Sequence, residues 1–214
     1  MSGTMQWNRP NIIASNPDFE TAMITVMRDV LFRKYFREIH SVFEFGCGTG
    51  LNLLHIARIF PNKPLLGLDW SQASCEIINK LGKSQKINLK GIRFDMYHPD
   101  PTVNLTQNDG VLTIGALEQL GSNFEPFLSF LREKSPKICI HFETMDELYT
   151  NPTISDYLIK RYSQVRNYLN GFLTALRKIE DDGMAEILQV QRTFGGQYHE
   201  GYSFVVWRPL YRRL

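Results

Sequence analysis

The chain has 214 residues, 43% of them hydrophobic, enough to fill the core of one domain. Its 24 Lys and Arg against 22 Asp and Glu leave a formal net charge of +2, and without a long basic run nothing marks a nucleic-acid track. No stretch approaches the roughly 18 apolar residues of a membrane helix. No charged start followed by an apolar core suggests a signal peptide. Cys47, Cys75 and Cys139 lack metal-ligand spacing, which reads as a reducing compartment, the cytoplasm, rather than a disulfide framework.

In chain order, residues 1–4 read as a flexible start, and Asn16, Pro17 and Asp18 as a cap opening a helix through Met23, Met27, Leu31 and Phe36. An apolar run then closes in Glu44 and meets three glycines, Gly46, Gly48 and Gly50, separated by Cys47 and Thr49. Apolar residues at helical spacing follow to about Phe60, where Pro61 stops them. Strand, tight glycine turn and helix come in the order a nucleotide-type cofactor site needs, because glycine lets the backbone approach a ligand and the helix start offers unpaired N–H groups. In a dinucleotide fingerprint the third glycine follows the second by three residues, and here that position is Leu51.

A second strand ends at Asp69 and Trp70, with Ser71 as the cap of a helix to about Leu81. A third, from Gly91, ends at Asp95 and Met96, and a fourth begins at Asp109 and runs through Gly115, Ala116, Glu118 and Gln119. A short helix over residues 124–131 leads to a fifth strand, residues 137–143, ending in Glu143. Residues 144–182 form a long polar and aromatic segment, mostly helical. Strand six (185–192), a loop with Tyr198, His199 and Glu200, and strand seven (202–207) complete a hairpin. This pattern predicts an α/β fold, a Rossmann-like three-layer sandwich whose seven-stranded sheet is mostly parallel with an antiparallel last strand. The chain reads as a single domain over residues 1–214, with an N-terminal helical cover at about 16–38 and a helical insertion at about 144–182.

The run from Glu44 to Gly50 resembles motif I of class I S-adenosylmethionine (SAM)-dependent methyltransferases, acidic-x-Gly-x-Gly-x-Gly, and matches it at each defined position. The resemblance extends over essentially the whole chain. It implies SAM as the cofactor, held at Glu44, Gly46, Cys47, Gly48 and Gly50. It further implies that Asp69, with Trp70 beside it, accepts the ribose hydroxyls, and that Asp95 meets the adenine amine while Met96 packs its ring. Gly115 and Ala116 would pass under the methionine part. Asp69 can equally neighbour a helix cap, and Asp95 can serve a turn alone. Many relatives carry His after the Leu-Glu pair, where this chain has Gln119.

Ligands of open α/β sheets bind outside the carboxyl ends of the strands, which puts the acceptor among the connections after strands four, five and six. His199 is the expected general base, because its imidazole titrates near neutrality and it sits in a glycine-flanked loop. A turn histidine packing on Tyr198 is the plain alternative. Glu143 and Glu118 end neighbouring strands and are the other catalytic candidates. Gln119, Tyr157, Arg161, Arg166 and Tyr198 are expected around the substrate, with Tyr162 and Arg166 sharing a helix face. The two arginines could hold an acceptor phosphate or carboxylate, or belong to a solvated face. No metal site is expected.

The resemblance implies methyl transfer from SAM to a small polar acceptor, at an oxygen of a sugar, sugar nucleotide or phosphorylated metabolite, loosely like enzymes of bacterial surface-polysaccharide pathways. N-methylation of a small metabolite, or a SAM-binding partner subunit without activity, are the alternatives. A nicotinamide oxidoreductase is disfavoured by Leu51 and the terminal hairpin. No nucleic-acid or membrane partner is expected, and a homodimer is allowed.

Overall fold

The computed structural model describes residues 4–7, 11–13, 16–150, 153–196 and 200–210. Strands β1 (Thr4–Trp7) and β2 (Asn11–Ile13) come first, then helix α1 (Phe19–Tyr35). They are followed by β3 (Val42–Phe45), α2 (Leu51–Ile59), β4 (Leu65–Asp69), α3 (Gln72–Gln85) and β5 (Leu89–Arg93). The second half runs β6 (Gly110–Ile114), α4 (Glu125–Lys134), β7 (Ile138–Phe142), α5 (Ile154–Arg166), α6 (Phe172–Asp181), β8 (Ala185–Gln191), β9 (Phe194–Gly196) and β10 (Phe204–Pro209). Short 3₁₀ turns lie at Leu117–Leu120 and Asp146–Leu148.

Seven strands form one sheet in the order β5-β4-β3-β6-β7-β10-β8. The β5-β4-β3-β6-β7 run is parallel, and β10 lies antiparallel to both β7 and β8. This is the Rossmann-like architecture that the alternation of apolar runs predicted. The central strands β3 and β7 are buried at every position, as a parallel sheet covered on both faces demands. One face packs on Leu31 and Phe32 of α1, Leu53 and Ile56 of α2 and Ile78 of α3. The other packs on α4 and α6, where Phe45 meets Phe94 and Phe127 edge-on at 4.9 Å each.

Several elements differ from the sequence expectation. Of the stretch read as a flexible start, residues 1–3 lie outside the described residues, while Thr4 opens β1, which pairs antiparallel with β2 and with β9 in a second, three-stranded sheet. Residues 144–182 hold two helices rather than one. Thr153 caps α5 by accepting from the Asp156 N–H at 3.1 Å, and Asn167 ends it in the left-handed region at φ 52°. The connection then docks on the loop after β6, where the Asn170 N–H donates to the Gly121 carbonyl at 3.3 Å. The third strand of the main sheet, β5, stops at Arg93, short of Asp95. The Asp95 carboxylate accepts from the Tyr97 N–H at 2.8 Å, an Asx turn that takes the chain out of the sheet.

Candidate active site

The glycine turn between β3 and α2 faces the loop after β6. Gly46 sits at φ +70°, and a Cβ there would stand 2.3 Å from the Ala116 Cβ, so only glycine admits this approach. Gly48 is also left-handed, at φ +51°, yet nothing lies within 4 Å of where its Cβ would be. Its N–H donates to Asp69 Oδ2 at 2.9 Å, while the Ser71 N–H donates to Oδ1 at 2.9 Å. Two backbone donors thereby aim the buried Asp69 carboxylate (7% exposed) across the turn. Ser71 itself caps α3, accepting from the Ser74 N–H.

Beside the turn opens a cleft of about 660 Å³. Gly46, Asp69, Trp70, Asp95, Met96, Gly115 and Ala116 line it, together with the substrate candidate Gln119. Tyr97 joins them unforeseen, its hydroxyl donating to the Gln119 carbonyl at 3.2 Å. Hydrogen bonds from His98 and from the Tyr97 N–H hold the Asp95 carboxyl below its ordinary range. Cys47 behaves differently: its side chain is buried among Leu53 and Ile56, so any part it takes in the cleft is by its backbone.

Glu44, next to last in β3, is almost wholly buried. Oε1 accepts from Asn52 Nδ2 at 2.6 Å, while Oε2 has no hydrogen-bond partner. Burial raises its pKa to about 8, against the opposing pull of the Asn52 hydrogen bond and the Arg28 charge.

At the acceptor edge the candidates separate. Glu143 is fully buried and accepts from the N–H groups of Ala116 at 3.3 Å, Leu117 at 3.1 Å and Glu118 at 3.0 Å. These bonds make it the anchor of the 3₁₀ turn under the cleft, a different task from the proton acceptor expected. Burial pushes it up to about 8. Glu118 is buried beneath the same turn and accepts from Gln119 Nε2 at 3.3 Å. Tyr168 hydrogen-bonds the Gln119 side chain, and burial, then the nearby Glu118 carboxylate, push its phenol above the ordinary range. Tyr157 and Arg161 are exposed on α5, and Arg166 stacks over the Tyr162 ring at 5.3 Å, one turn away as the spacing implied. None of these three lines the cleft. Tyr157 instead borders a separate hollow of about 510 Å³ with Tyr149 and Lys160. His199 and Tyr198 lie outside the described residues. His141 is a core residue: its Nδ1 pairs with Thr113 Oγ1 at 2.9 Å, and burial lowers its pKa to about 3.

A buried ion network went unread in the sequence. Arg192, just after β8, donates to Glu200 at 2.7 and 2.9 Å and to Asp156 of α5 at 2.9 and 3.2 Å, with its guanidinium 4.8 Å from the Tyr149 ring centre. Burial alone would lower its pKa, but these two carboxylates raise it on balance. Both carboxylates are bound in the bidentate fork that favours Arg over Lys. Only folding brings the three together, since they share no local spacing. Among the described residues no three His, Cys, Asp or Glu side chains converge as a metal site. No helix there is long and apolar enough to cross a membrane.

The donor set fits SAM. The aimed Asp69 carboxylate would offer ribose hydroxyls an acceptor, open space lies over Gly48, and a buried Glu44 carboxylate oxygen lacks a donor. Residues 42–133 match a family model described as a methyltransferase domain. A magnesium protoporphyrin IX methyltransferase from Synechocystis PCC 6803, solved with bound S-adenosylhomocysteine (SAH), is 15% identical; the match covers 90% of this chain and 84% of that one at a TM-score of 0.60. A SAM-dependent methyltransferase from Aquifex aeolicus is 11% identical over 92% and 94% of the two chains, with a TM-score of 0.59. A plantazolicin methyltransferase, solved with SAH and a pentazolic desmethylPZN analog, is 16% identical over 92% and 87%, with a TM-score of 0.56. No curated protein matches the sequence. Motif, cleft and family match agree on the cofactor half: residues 42–133 are similar to a methyltransferase domain, and the fold as a whole is the one these SAM-dependent methyltransferases share.

Proposed function

We propose that the protein methylates a small polar acceptor at oxygen, a sugar, sugar nucleotide or phosphorylated metabolite, in the cytoplasm. The observation that carries this reading is the mouth of the cleft, where exposed Gln119 stands between Tyr97 and Tyr168 above the buried Glu118. An amide and two phenols offer hydrogen bonds to the hydroxyls of a polar acceptor. SAM, when bound, supplies an electrophilic methyl on a sulfonium. The chain's own task is alignment: Asp69 and the glycine turn fix the cofactor end, and the turn anchored by Glu143 fixes the acceptor end. Orientation of this kind can supply roughly 7–11 kcal/mol of a displacement barrier. His199 is the base in this reading.

N-methylation of a small metabolite is the second reading, favoured by one observation. Glu143 spends its carboxylate on three backbone N–H groups, and an amine acceptor needs no strong base. Two structural neighbours are named for their acceptors, magnesium protoporphyrin IX and plantazolicin, and these differ too widely to choose between the readings. The test is SAH release with sugar nucleotides, small alcohols and small amines, followed by mass analysis of the product. Turnover confined to amines would overturn the oxygen assignment.

A further inference from the structure

Thr113 of β6 and His141 of β7 stand opposite each other in the parallel sheet, and Glu143 follows His141 by two residues, on the same face. All three are wholly buried. The Thr113 hydroxyl meets both neighbours. Its Oγ1 lies 2.9 Å from His141 Nδ1, and its hydrogen bond to Glu143 favours the carboxylate form. Glu143 in turn accepts from the N–H groups of Ala116, Leu117 and Glu118. His141 Nε2 has no hydrogen-bond partner among the described residues, so the hydrogen on this ring is placed from the Nδ1 side alone.

A hydroxyl between an imidazole and a carboxyl couples their protons. An ionised Glu143 only accepts, so Thr113 donates to it and His141 donates to Thr113 from Nδ1. A protonated Glu143 carries a hydrogen that needs an acceptor, while both its oxygens already face N–H groups. Thr113 Oγ1 takes that hydrogen bond, turns its own O–H to Nδ1, and leaves the His141 hydrogen on Nε2. The balance is one proton taken from solvent. Thr113 keeps one hydrogen throughout, and the imidazole stays neutral while its hydrogen moves from Nδ1 to Nε2.

We propose that Thr113 and His141 are positioning residues of the acceptor side, a buried proton chain that sets whether Glu143 holds the Leu117–Leu120 turn as a carboxylate or as a neutral acid. This rests on the reading of that turn, which carries Gln119, as the acceptor side. Charged acceptors make hydrogen bonds roughly twice as strong as neutral ones, so the ionised form holds the turn tighter. Burial, then the Glu118 carboxylate facing it from the turn, raise Glu143 to about 8, against the Thr113 hydrogen bond. The chain therefore reverses near that pH. Burial alone lowers His141, whose ring packs on Phe172 of α6 and Trp207 of β10.

The test is ¹⁵N NMR of the wild-type protein labelled at its histidines, with His141 assigned through its contact with Thr113. As pH falls through about 8, His141 should stay neutral and change from the Nδ1–H to the Nε2–H tautomer. Thr113→Val keeps the branched shape without the hydroxyl, so the tautomer should stop following pH. In that variant at neutral pH, hydrogen-exchange protection of the Leu117 and Glu118 amides should fall about tenfold, while the amides of β3 and β4 hold theirs. The wild-type spectrum needs no variant to fold. A wild-type His141 tautomer that ignores pH, as it would if Glu143 shared its proton with Glu118 instead, overturns the proposal. So does unchanged protection of the turn in Thr113→Val. Both results leave the methyl-transfer reading standing, since that reading is tested by the acceptor screen.

Discussion

Arg192→Ala is the sharpest perturbation the structure offers. It deletes a guanidinium that donates four hydrogen bonds and leaves Asp156 and Glu200, 3% and 2% exposed, buried without their cation. Removing one partner of a buried ion pair costs about 3–5 kcal/mol, because the remaining charge keeps its desolvation penalty. For a chain of this size each kcal/mol moves the melting temperature by about 2–4 °C, so a fall of about 6–20 °C is expected. Urea unfolding followed by circular dichroism gives the free energy, and a thermal melt gives Tm. Acid should narrow the deficit by protonating the stranded carboxylates. The triple change Arg192→Met, Asp156→Asn, Glu200→Gln should recover most of the loss, since neutral groups of similar volume carry no such penalty. SAH affinity should hold in the folded single variant, because none of the three residues lines the cleft. A single variant within about 1 kcal/mol of wild type would refute the claim that the network is desolvated.

Asp69→Ala should lose SAH affinity about tenfold or more, from roughly 1.5–3 kcal/mol of charge-assisted bonding, while remaining folded; calorimetry with unchanged affinity would leave Asp69 only its bonds to Gly48 and Ser71. Gly48→Val should abolish cofactor binding through φ strain and lost room over the turn, with melting only modestly lowered because no packed atom stands in the way. Glu143→Ala frees three buried N–H groups and should lower stability by more than about 2 kcal/mol in denaturant titration. If the acceptor is an alcohol, His199→Ala should cut kcat by roughly 10²–10⁴ at unchanged SAH affinity, measured on the acceptor found by screening.

The cofactor half was legible because its signals are local. Strand, glycine turn and acid follow one another within a few residues, and the parallel sheet forces buried runs that read plainly as apolar. The reading failed where contacts span the chain. Nothing near residues 4–7 announces a partner at residues 194–196, and the long polar segment hid its break because Asn167 and Gly171 turn the chain in the left-handed region without a proline. Glu143 looked like a base because it ends a strand at the right edge. That its oxygens face three N–H groups depends on how the next loop folds over it.

The place of β10 between β7 and β8 sets synthesis against assembly. β8 is made first but its only neighbour in the sheet is β10, the last strand of the described chain. Until β10 slots in, β7 and β8 each present a bare row of backbone donors and acceptors, and both are templates for a strand from another molecule. A nascent or prematurely terminated chain ending before residue 204 would therefore carry two sticky edges. The finished chain covers the β7 edge and the facing edge of β8 by the insertion of one six-residue strand.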